Sequence, residues 1–371
     1  MKIGIISFWD SQSNYGQVLQ CFAMQQLFKS LGHEPTHIKY RYAERTKPEK
    51  LRLLFQAAFS GHLYSFLKLF VENRRAVNEN PASGYAVQAD RKFDDFRERN
   101  ILFTDSEYSR SSLRSKPPRF DAYVCGSDQI WGVPSEEFML QFAPKDAKCL
   151  SYAASMGGLK FTNKYQQFLL KKYLKRFDYI SVREQDGLDV LTNLGIKNAK
   201  VVLDPTFMIP VETYRKLAVK PEDEDYIFLY LLGNKTDIDV NRIFEWAASK
   251  NLKVVYALSQ GRAGSITNVT PTVNEWLGLI DNAKYVITNS FHGMALSMKF
   301  QKQFMAVPLS GSYARMNSRI YGILDKFNLR DRCFDGSLDK LTAPIDYDRV
   351  EQIISAERDR TVSEIRSILT P

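Results

Sequence analysis

At 371 residues the chain is too long for one typical domain, and its 44% hydrophobic and 25% charged residues can bury two ordinary cores. The net charge of +9 favours anionic partners, such as phosphorylated ligands, an acidic membrane face or nucleic acid. No apolar run approaches the roughly 18 residues of a membrane span, and the four scattered cysteines show no metal-ligand spacing. We therefore expect a cytoplasmic protein with reduced thiols, which could touch the inner face of the plasma membrane.

The first half of the chain alternates strand and helix patterns. The apolar run "KIGIISF" predicts a buried parallel strand, and "VLQCFAMQQLFKSLG" predicts a helix that ends at Gly32. Residues 45–120 break this rhythm and are interpreted as a helical insertion. The alternation then continues to about residue 210, where Pro205 and Pro210 mark a change of element.

The second half repeats the same scheme. We expect a first domain over residues 1–210 and a second over 211–345. Residues 346–371 predict a terminal helix that packs back on the first domain. The fold class is therefore α/β, with two Rossmann-like domains and a ligand site in the cleft between them.

The stretch "VITNSFHGM" predicts an anion site at a strand-to-helix junction. Asn289 or Ser290 can cap the helix, and Gly293 lets the backbone approach a ligand. His292 could then bind a phosphate or move a proton near neutral pH. A plain capping turn with a half-exposed histidine explains the pattern equally well.

Two further strand ends carry polar side chains. The loop after the first strand places Asn14, Gly16 and Gln17 at a second helix start, although an ordinary turn is the simpler interpretation. After a later strand, Ser127 and Asp128 follow a glycine. Asp128 could bind a sugar hydroxyl, act as a base, or cap the next turn.

Basic side chains complete the set of candidates. Arg183 ends a strand and could bind phosphate or carboxylate with both arms, or pair with Glu184 or Asp186. At another helix start, Asn317 or Ser318 would cap, and Arg319 would point into the cleft or to solvent. The basic clusters elsewhere lack interleaved aromatic residues, so no nucleic-acid partner is expected.

Six segments occur in an order that is similar to a known family. They are "FWDSQSNYGQVLQCFAMQQLFKSLGH", "VCGSDQIW", "SYAASMG", "ISVRE", "LDPTF" and "ITNSFHGMALSMKF". The chain thereby resembles the polysaccharide pyruvyl transferase family. The resemblance implies a GT-B-like pair of Rossmann-type domains. It also implies transfer of pyruvate from phosphoenolpyruvate to a pair of sugar hydroxyls as a cyclic ketal, with phosphate released and no metal or other cofactor required.

The resemblance also implies roles for individual residues. Arg183 and His292 match the family's arginine and histidine, and both are assigned to the donor phosphate, with His292 as proton donor to the leaving group. Asp128 is the candidate that binds or deprotonates the acceptor hydroxyl. The helix start at Asn317, Ser318 and Arg319 would complete the donor pocket. Family members often carry an arginine before the His-Gly pair, where this chain has Phe291. Either the phosphate pocket has one cation fewer, or Arg319 supplies it.

The acceptor expected from the resemblance is a bacterial surface-polysaccharide precursor, which could be lipid-linked. Two alternatives remain open at this point. One is a GT-B glycosyltransferase that uses a nucleotide sugar, and the other is a non-catalytic binding protein that kept the fold.

Overall fold

The computed structural model describes residues 1–42, 45–69, 90–233, 238–259 and 268–370, and these form two α/β domains. The first domain contains a seven-stranded parallel sheet in the order β3-β2-β1-β4-β5-β6-β7. Its strands are β1 Lys2–Ile6, β2 Glu34–Tyr40, β3 Phe103–Tyr108, β4 Ala122–Cys125, β5 Lys148–Ala154, β6 Tyr179–Val182 and β7 Ala199–Val201.

The second domain contains a five-stranded parallel sheet in the order β10-β9-β8-β11-β12. Its strands are β8 Tyr226–Tyr230, β9 Lys253–Ala257, β10 Asn268–Val269, β11 Tyr285–Thr288 and β12 Gln303–Ala306. All five residues of β8 are buried because helices cover both faces of a parallel sheet. The prediction of an α/β protein with two Rossmann-like domains is confirmed.

Helices connect the strands in both domains. Those up to residue 215 are α1 Tyr15–Ser30, α2 Lys47–Phe59, α3 Phe93–Asn100, α4 Arg110–Ser115, α5 Lys164–Leu174, α6 Gln185–Asn193, α7 Pro205–Met208 and α8 Val211–Arg215. The later ones are α9 Val240–Ser249, α10 Val273–Asn282, α11 Phe291–Lys299, α12 Asn317–Lys326 and α13 Tyr347–Leu369, with 3-10 turns at Gly311–Met316, Arg330–Arg332 and Asp339–Thr342. No described helix is both long and apolar enough to cross a membrane.

The interpretation of residues 45–120 as a helical insertion is wrong in part. Phe103–Tyr108 forms β3, which pairs with β2 at the edge of the first sheet. Its sequence FTDSEY is mostly polar because an edge strand leaves much of its surface in water. Residues 70–89 of the predicted insertion lie outside the described residues.

In the first sheet the chain adds strands outward in one direction from β1 and in the other direction from β4, so the switch point lies between these two strands. In the second sheet the switch point lies between β8 and β11. At such switch points the loops leave to opposite sides of the sheet and open a crevice at the carboxyl ends of the strands. The predicted site residues from Asn14 to Gln17, at 127–128 and from Ser290 to Gly293 follow β1, β4 and β11, whereas Arg183 follows β6 and residues 317–319 follow β12. Both crevices therefore contribute to one interdomain site.

The two domains share a continuous apolar core. Tyr15 of α1 stacks on Trp276 of α10 with ring centroids 4.9 Å apart, and its hydroxyl donates a hydrogen bond to the carbonyl of Pro271 at 2.5 Å. The terminal helix α13 reaches the first sheet, where Glu364 accepts from the hydroxyl of Tyr179 at 3.0 Å and pairs with Lys200 at 2.7 Å.

Candidate active site

A buried carboxylate that the sequence analysis did not select, Asp204, lies at the centre of the site. It follows β7 and caps α7, where its Oδ1 accepts hydrogen bonds from the backbone N–H of Thr206 at 3.0 Å and its hydroxyl at 2.7 Å. Its Oδ2 accepts from the hydroxyl of Ser127 at 2.7 Å and from Nη1 of Arg183 at 3.0 Å. Asp204 is completely buried, and four donors hold its charge in place.

His292 is the fourth residue whose side chain lies near Asp204. Its Nε2 lies 3.6 Å from Oδ2 of Asp204 and makes no hydrogen bond within the described residues. Burial alone would raise the pKa of Asp204, but His292, Arg183 and the hydroxyl of Ser127 hold that pKa well below its ordinary value. Asp204 therefore stays ionised at neutral pH.

Glu184, Asp204 and Phe291 hold the guanidinium of Arg183 in place, and one of its nitrogens has no partner among the described residues. Its Nε donates to Glu184 at 2.8 Å, and its guanidinium lies 4.4 Å from the ring centre of Phe291. Burial would lower the pKa of Arg183, but Glu184 and Asp204 raise it above its ordinary value. Its Nη2 is buried and has no hydrogen-bond partner among the described residues. Of the alternatives that the sequence left open for Arg183, the pairing with Glu184 is present, and anion binding stays a prediction.

The histidine is positioned by contact between two helix starts. Ser290 caps α11, where its side chain accepts from the N–H of Gly293 at 3.2 Å, so His292 is the second residue of the helix. Its ring lies against Gly16 in the first turn of α1: a Cβ built on Gly16 would stand 2.0 Å from Nδ1 of His292. Gly16 is needed because any larger residue would push the ring aside.

Ser127, Arg183, Asp204 and His292 form the Asp204 cluster, and Asp128 and Arg319 lie at its edge. The carboxylate of Asp128 accepts from the N–H of Gln129 at 2.7 Å, and its side chain is buried. Arg319 is half-buried and donates from Nε to the carbonyl of Met316 at 3.4 Å. Burial and the positive charge of Arg183 lower the pKa of Arg319 to about 10, against the opposing effect of Glu184 and Asp128. Arg319 therefore remains protonated at neutral pH, and its positive charge interacts with the charges of Arg183, Glu184 and Asp128.

The predicted binding residues at the two helix starts make local contacts with neighbouring backbone and side-chain atoms. Asn14 caps α1 by accepting from the N–H of Gln17 at 3.1 Å, while Oε1 of Gln17 accepts from the N–H of Ser11 at 2.7 Å. Gly293 has its Cα close to Thr288, whose Oγ1 would be 2.7 Å from an added Cβ. These residues shape the two helix starts that face the cleft.

The expectation that Asn317 or Ser318 caps α12 is wrong. A 3-10 turn runs directly into α12, so Met316 is the cap residue and no side chain caps the helix. The amide group of Asn317 instead bonds to both the N–H and the carbonyl of Leu309, at 2.7 Å and 2.8 Å. The hydroxyl of Ser318 lies 3.5 Å from the carbonyl of Arg315. Neither side chain reaches the Asp204 cluster as a partner.

Asp204, Ser155 and Gln20 were missed because nothing in the sequence places them near the histidine. Ser155 donates to Glu184 at 2.9 Å, and Gln20 accepts from the N–H of Ser127 at 3.0 Å. The signal available for Asp204 was its position in "LDPTF", at the end of a strand and before a proline that begins a helix.

A cavity of about 1180 Å³ lies in the first domain, away from this cluster. It is lined mainly by apolar side chains of α2, residues 66–69 and α5. The Asp204 cluster itself is closely packed, and His292 is only 9% exposed. We place the candidate active site at the Asp204 cluster rather than in the cavity, because the cluster brings together ionised side chains and buried nitrogens without a described partner. Within the described ranges, no group of three His, Cys, Asp or Glu side chains could hold a metal ion.

These features define a protein with a GT-B-like fold and a polar interdomain site. A putative UDP-N-acetylglucosamine 2-epimerase from Listeria monocytogenes is 12% identical over 99% of this chain and 96% of its own, with a TM-score of 0.50. The UDP-GlcNAc 2-epimerase from Neisseria meningitidis bound to UDP-GlcNAc is 9% identical over 100% and 99%, with a TM-score of 0.47. At 12% identity, the Listeria match shows a shared fold and nothing about substrates.

The chain belongs to the polysaccharide pyruvyl transferase family, whose sequence model matches residues 14–311. The matched region contains Ser127, Arg183, Asp204 and His292, whereas Arg319 lies beyond it. A search of curated protein sequences found no match. Family membership makes the chain a transferase of polysaccharide biosynthesis and confirms the resemblance drawn from the six segments.

Proposed function

We propose that this protein transfers pyruvate from phosphoenolpyruvate to two hydroxyls of a saccharide acceptor and releases phosphate. One observation carries the proposal. Two buried nitrogens, Nη2 of Arg183 and Nε2 of His292 (a donor when it carries the ring proton), have no hydrogen-bond partner among the described residues, and both belong to side chains that meet at Asp204. Buried donors without a partner are costly, so such a pair supports the binding of an anion.

The surrounding backbone supports the same interpretation. The first turns of α1 and α11 meet where Gly16 touches His292. The N-terminus of a helix carries partial positive charge and free N–H groups, so two such ends favour a phosphate or carboxylate. Phosphoenolpyruvate carries both groups, and family membership supports it as the donor.

The proposed reaction begins when a proton reaches C3 of the enol and makes C2 electrophilic. One acceptor hydroxyl adds to C2, and the C2–O bond to phosphate then breaks. A second hydroxyl closes the ketal. The two hydroxyls lose two protons, of which one balances the new methyl group and the other leaves with phosphate. In this scheme His292 gives its proton to the departing phosphate, and Arg183 offsets the growing charge.

Asp204 acts in this scheme as a positioning residue. It binds Arg183 directly and lies 3.6 Å from Nε2 of His292, so it orients the free arm of one and the ring of the other. Asp128 keeps the role of binding the acceptor hydroxyl that the sequence suggested, and its buried side chain lies close enough to Arg183 and Arg319 for the charges to interact.

Access to the site requires motion. Asp204 is completely buried and the side chain of Arg183 is 2% exposed. We propose that the starts of α1 and α11 separate to admit the donor and close again around it, which would exclude water from the reaction.

Donor binding tests the proposal before any acceptor is known. Calorimetry with phosphoenolpyruvate should show binding by the native protein and its loss in Arg183→Lys, which keeps the charge but removes the second arm. The exposed Arg315→Lys serves as the matched control and should bind as the native protein does. Binding of a nucleotide sugar in place of phosphoenolpyruvate would favour a glycosyltransferase and overturn the proposal.

A further inference from the structure

We propose that a helical hairpin, residues 45–69, docks on the surface of an anionic phospholipid bilayer. The hairpin consists of α2, a turn at Gly61 and a second helical stretch at residues 63–69. The inference rests on the side chains of this hairpin and is independent of the reaction proposed above.

Large apolar side chains are exposed on the hairpin, and two of them, Leu51 and Leu67, also line the cavity of the first domain. Leu51, Phe55 and Phe59 recur every four residues on one face of α2, and they are 51%, 54% and 90% exposed. Beyond the turn, Tyr64 is 81% and Leu67 is 48% exposed. Scattered apolar residues are normal on a protein surface, but a cluster of this size marks an interaction site.

The hairpin is fastened to the first domain by its other face. Arg52 pairs with Glu136 at 2.7 Å, and the side-chain amide of Asn163 donates to the carbonyl of Ser65 at 2.9 Å. The ring of His62 stacks on Phe168 with centroids 4.7 Å apart. These contacts orient the hairpin, so its exposed face is a fixed surface of the molecule.

Charge identifies the partner. The hairpin contains five basic residues and one acidic residue, Glu49, which already pairs with Arg110 at 3.3 Å and accepts from the N–H of Thr46 at 2.8 Å. The basic residues are Arg45, Lys47, Lys50, Arg52 and Lys68, of which Arg52 pairs with Glu136 of the first domain. Anionic headgroups would neutralise this excess, whereas a symmetric contact between two copies would bring like charges together.

The residue types agree with this partner. Phe59 and Tyr64 flank the turn, and aromatic rings at the tip of an amphipathic element lie at the level of lipid headgroups. Lys47 and Lys50, near the start of α2, have long side chains that could reach the phosphates while their stems lie along the apolar layer. The combination predicts binding that needs both apolar burial and negative lipid charge.

Co-sedimentation with vesicles tests this inference on the full chain. The native protein should bind vesicles of phosphatidylcholine with phosphatidylglycerol, bind phosphatidylcholine alone more weakly, and dissociate as salt rises. The double variant Phe59→Ser/Tyr64→Ser should bind about tenfold or more weakly, because two apolar anchors are lost. Lys47→Glu/Lys50→Glu should lose the preference for anionic vesicles. Leu102→Ser, at a 57% exposed leucine outside the hairpin, is the control and should bind normally.

All of these positions are exposed, so the variants should keep the native unfolding curve. Native protein that ignores anionic vesicles, or a Phe59→Ser/Tyr64→Ser variant that binds as well as native, would overturn the inference. A dimer that the same variant dissociates, without vesicle binding, would show that the face joins two copies instead. Donor binding is measured without vesicles, so its failure would leave this result untouched.

Discussion

Arg183 and Arg319 bring two positive charges into one cleft from different domains. Arg183 ends β6 of the first sheet, and Arg319 lies on α12 beside the second. Phe291 occupies the place where an arginine was expected, and its ring packs under the guanidinium of Arg183. Arg319 is therefore the candidate for the second cation, as the sequence comparison anticipated, and this role stays a prediction.

The positive charge of Arg319 should lower the free energy of unfolding, although it would help to bind the donor phosphate. Its pKa is lowered to about 10, so its protonated form is disfavoured in the folded protein, and this penalty is fully present at neutral pH. Arg319→Met should raise the free energy of unfolding by about 1 kcal/mol, a value discounted for the partial exposure of the side chain. The gain should shrink as the pH rises through about 10.

Denaturant unfolding at neutral pH, with and without phosphate, measures both effects. Phosphate should stabilise the native protein and should stabilise Arg319→Met less. Arg315→Met, at an exposed position one turn earlier, is the control and should behave as native. Equal stabilisation of Arg319→Met and native protein by phosphate would exclude Arg319 from the anion site.

Asp204 should matter for folding as well as for catalysis. Asp204→Asn leaves Arg183 buried beside a neutral group, which typically costs about 3–5 kcal/mol. Because the folded-state pKa of Asp204 is depressed, its contribution is complete above about pH 4 and is lost as the pH falls below that value. Unfolding curves of the native and variant proteins should therefore converge in acid. A constant difference down to low pH would contradict the ion-pair account.

Sequence reasoning found the ends of this cluster but not its centre. Arg183 was recognisable because it directly follows an apolar strand, and His292 because it lies at a junction between an apolar strand and a helix. Asp204 is 21 residues from Arg183 and 88 from His292, and only the order of the strands brings the three together. Contacts between distant strand ends depend on topology, which hydrophobic periodicity does not specify.

At the scale of elements, the site depends on how closely two helix starts approach. Gly16→Ala should displace the ring of His292 and reduce turnover far more than stability, because the added Cβ meets Nδ1 at 2.0 Å. The matched control is Gly322→Ala in α12, where an added Cβ meets nothing within 4 Å. That substitution should stabilise the protein by about 0.5–1 kcal/mol and leave turnover unchanged. Normal turnover in Gly16→Ala would contradict the assigned position of His292.

Central strands were easier to predict than edge strands. The runs that form β1, β8 and β11 are apolar because helices cover both faces of the sheet, so each is visible in the sequence. β3 has a polar face toward water and was therefore taken for part of a helical insertion. The sequence also did not predict the exposed apolar side chains of α2, because hydrophobic periodicity does not show whether an apolar face of a helix packs on the core or faces solvent.

At the scale of the molecule, one apolar cluster contains residues of both domains, including Tyr15, Phe22, Phe228, Trp276 and Phe300. We therefore expect the native protein to unfold in a single transition. Trp276→Ala should cost about 3–5 kcal/mol and separate the unfolding of the two domains, because it removes the ring that stacks on Tyr15.

Two probes of denaturant unfolding, near-UV and far-UV circular dichroism, measure this coupling. Trp246→Ala is the control, since Trp246 packs against a different cluster in the second domain. It should lower stability and keep the transitions coincident. Coincident transitions in Trp276→Ala would mean that the two domains are coupled by other contacts.

The most direct test of the account is turnover with phosphoenolpyruvate and a panel of galactose-, glucose- and mannosamine-containing acceptors. Released phosphate and acceptor mass are measured together. The account predicts acceptor-dependent phosphate release with the mass gain of a pyruvate ketal, reduced at least about a hundredfold in Arg183→Lys and His292→Gln. Ketal formation that continues at the native rate in both variants would contradict the assignment of the Asp204 cluster as the active site.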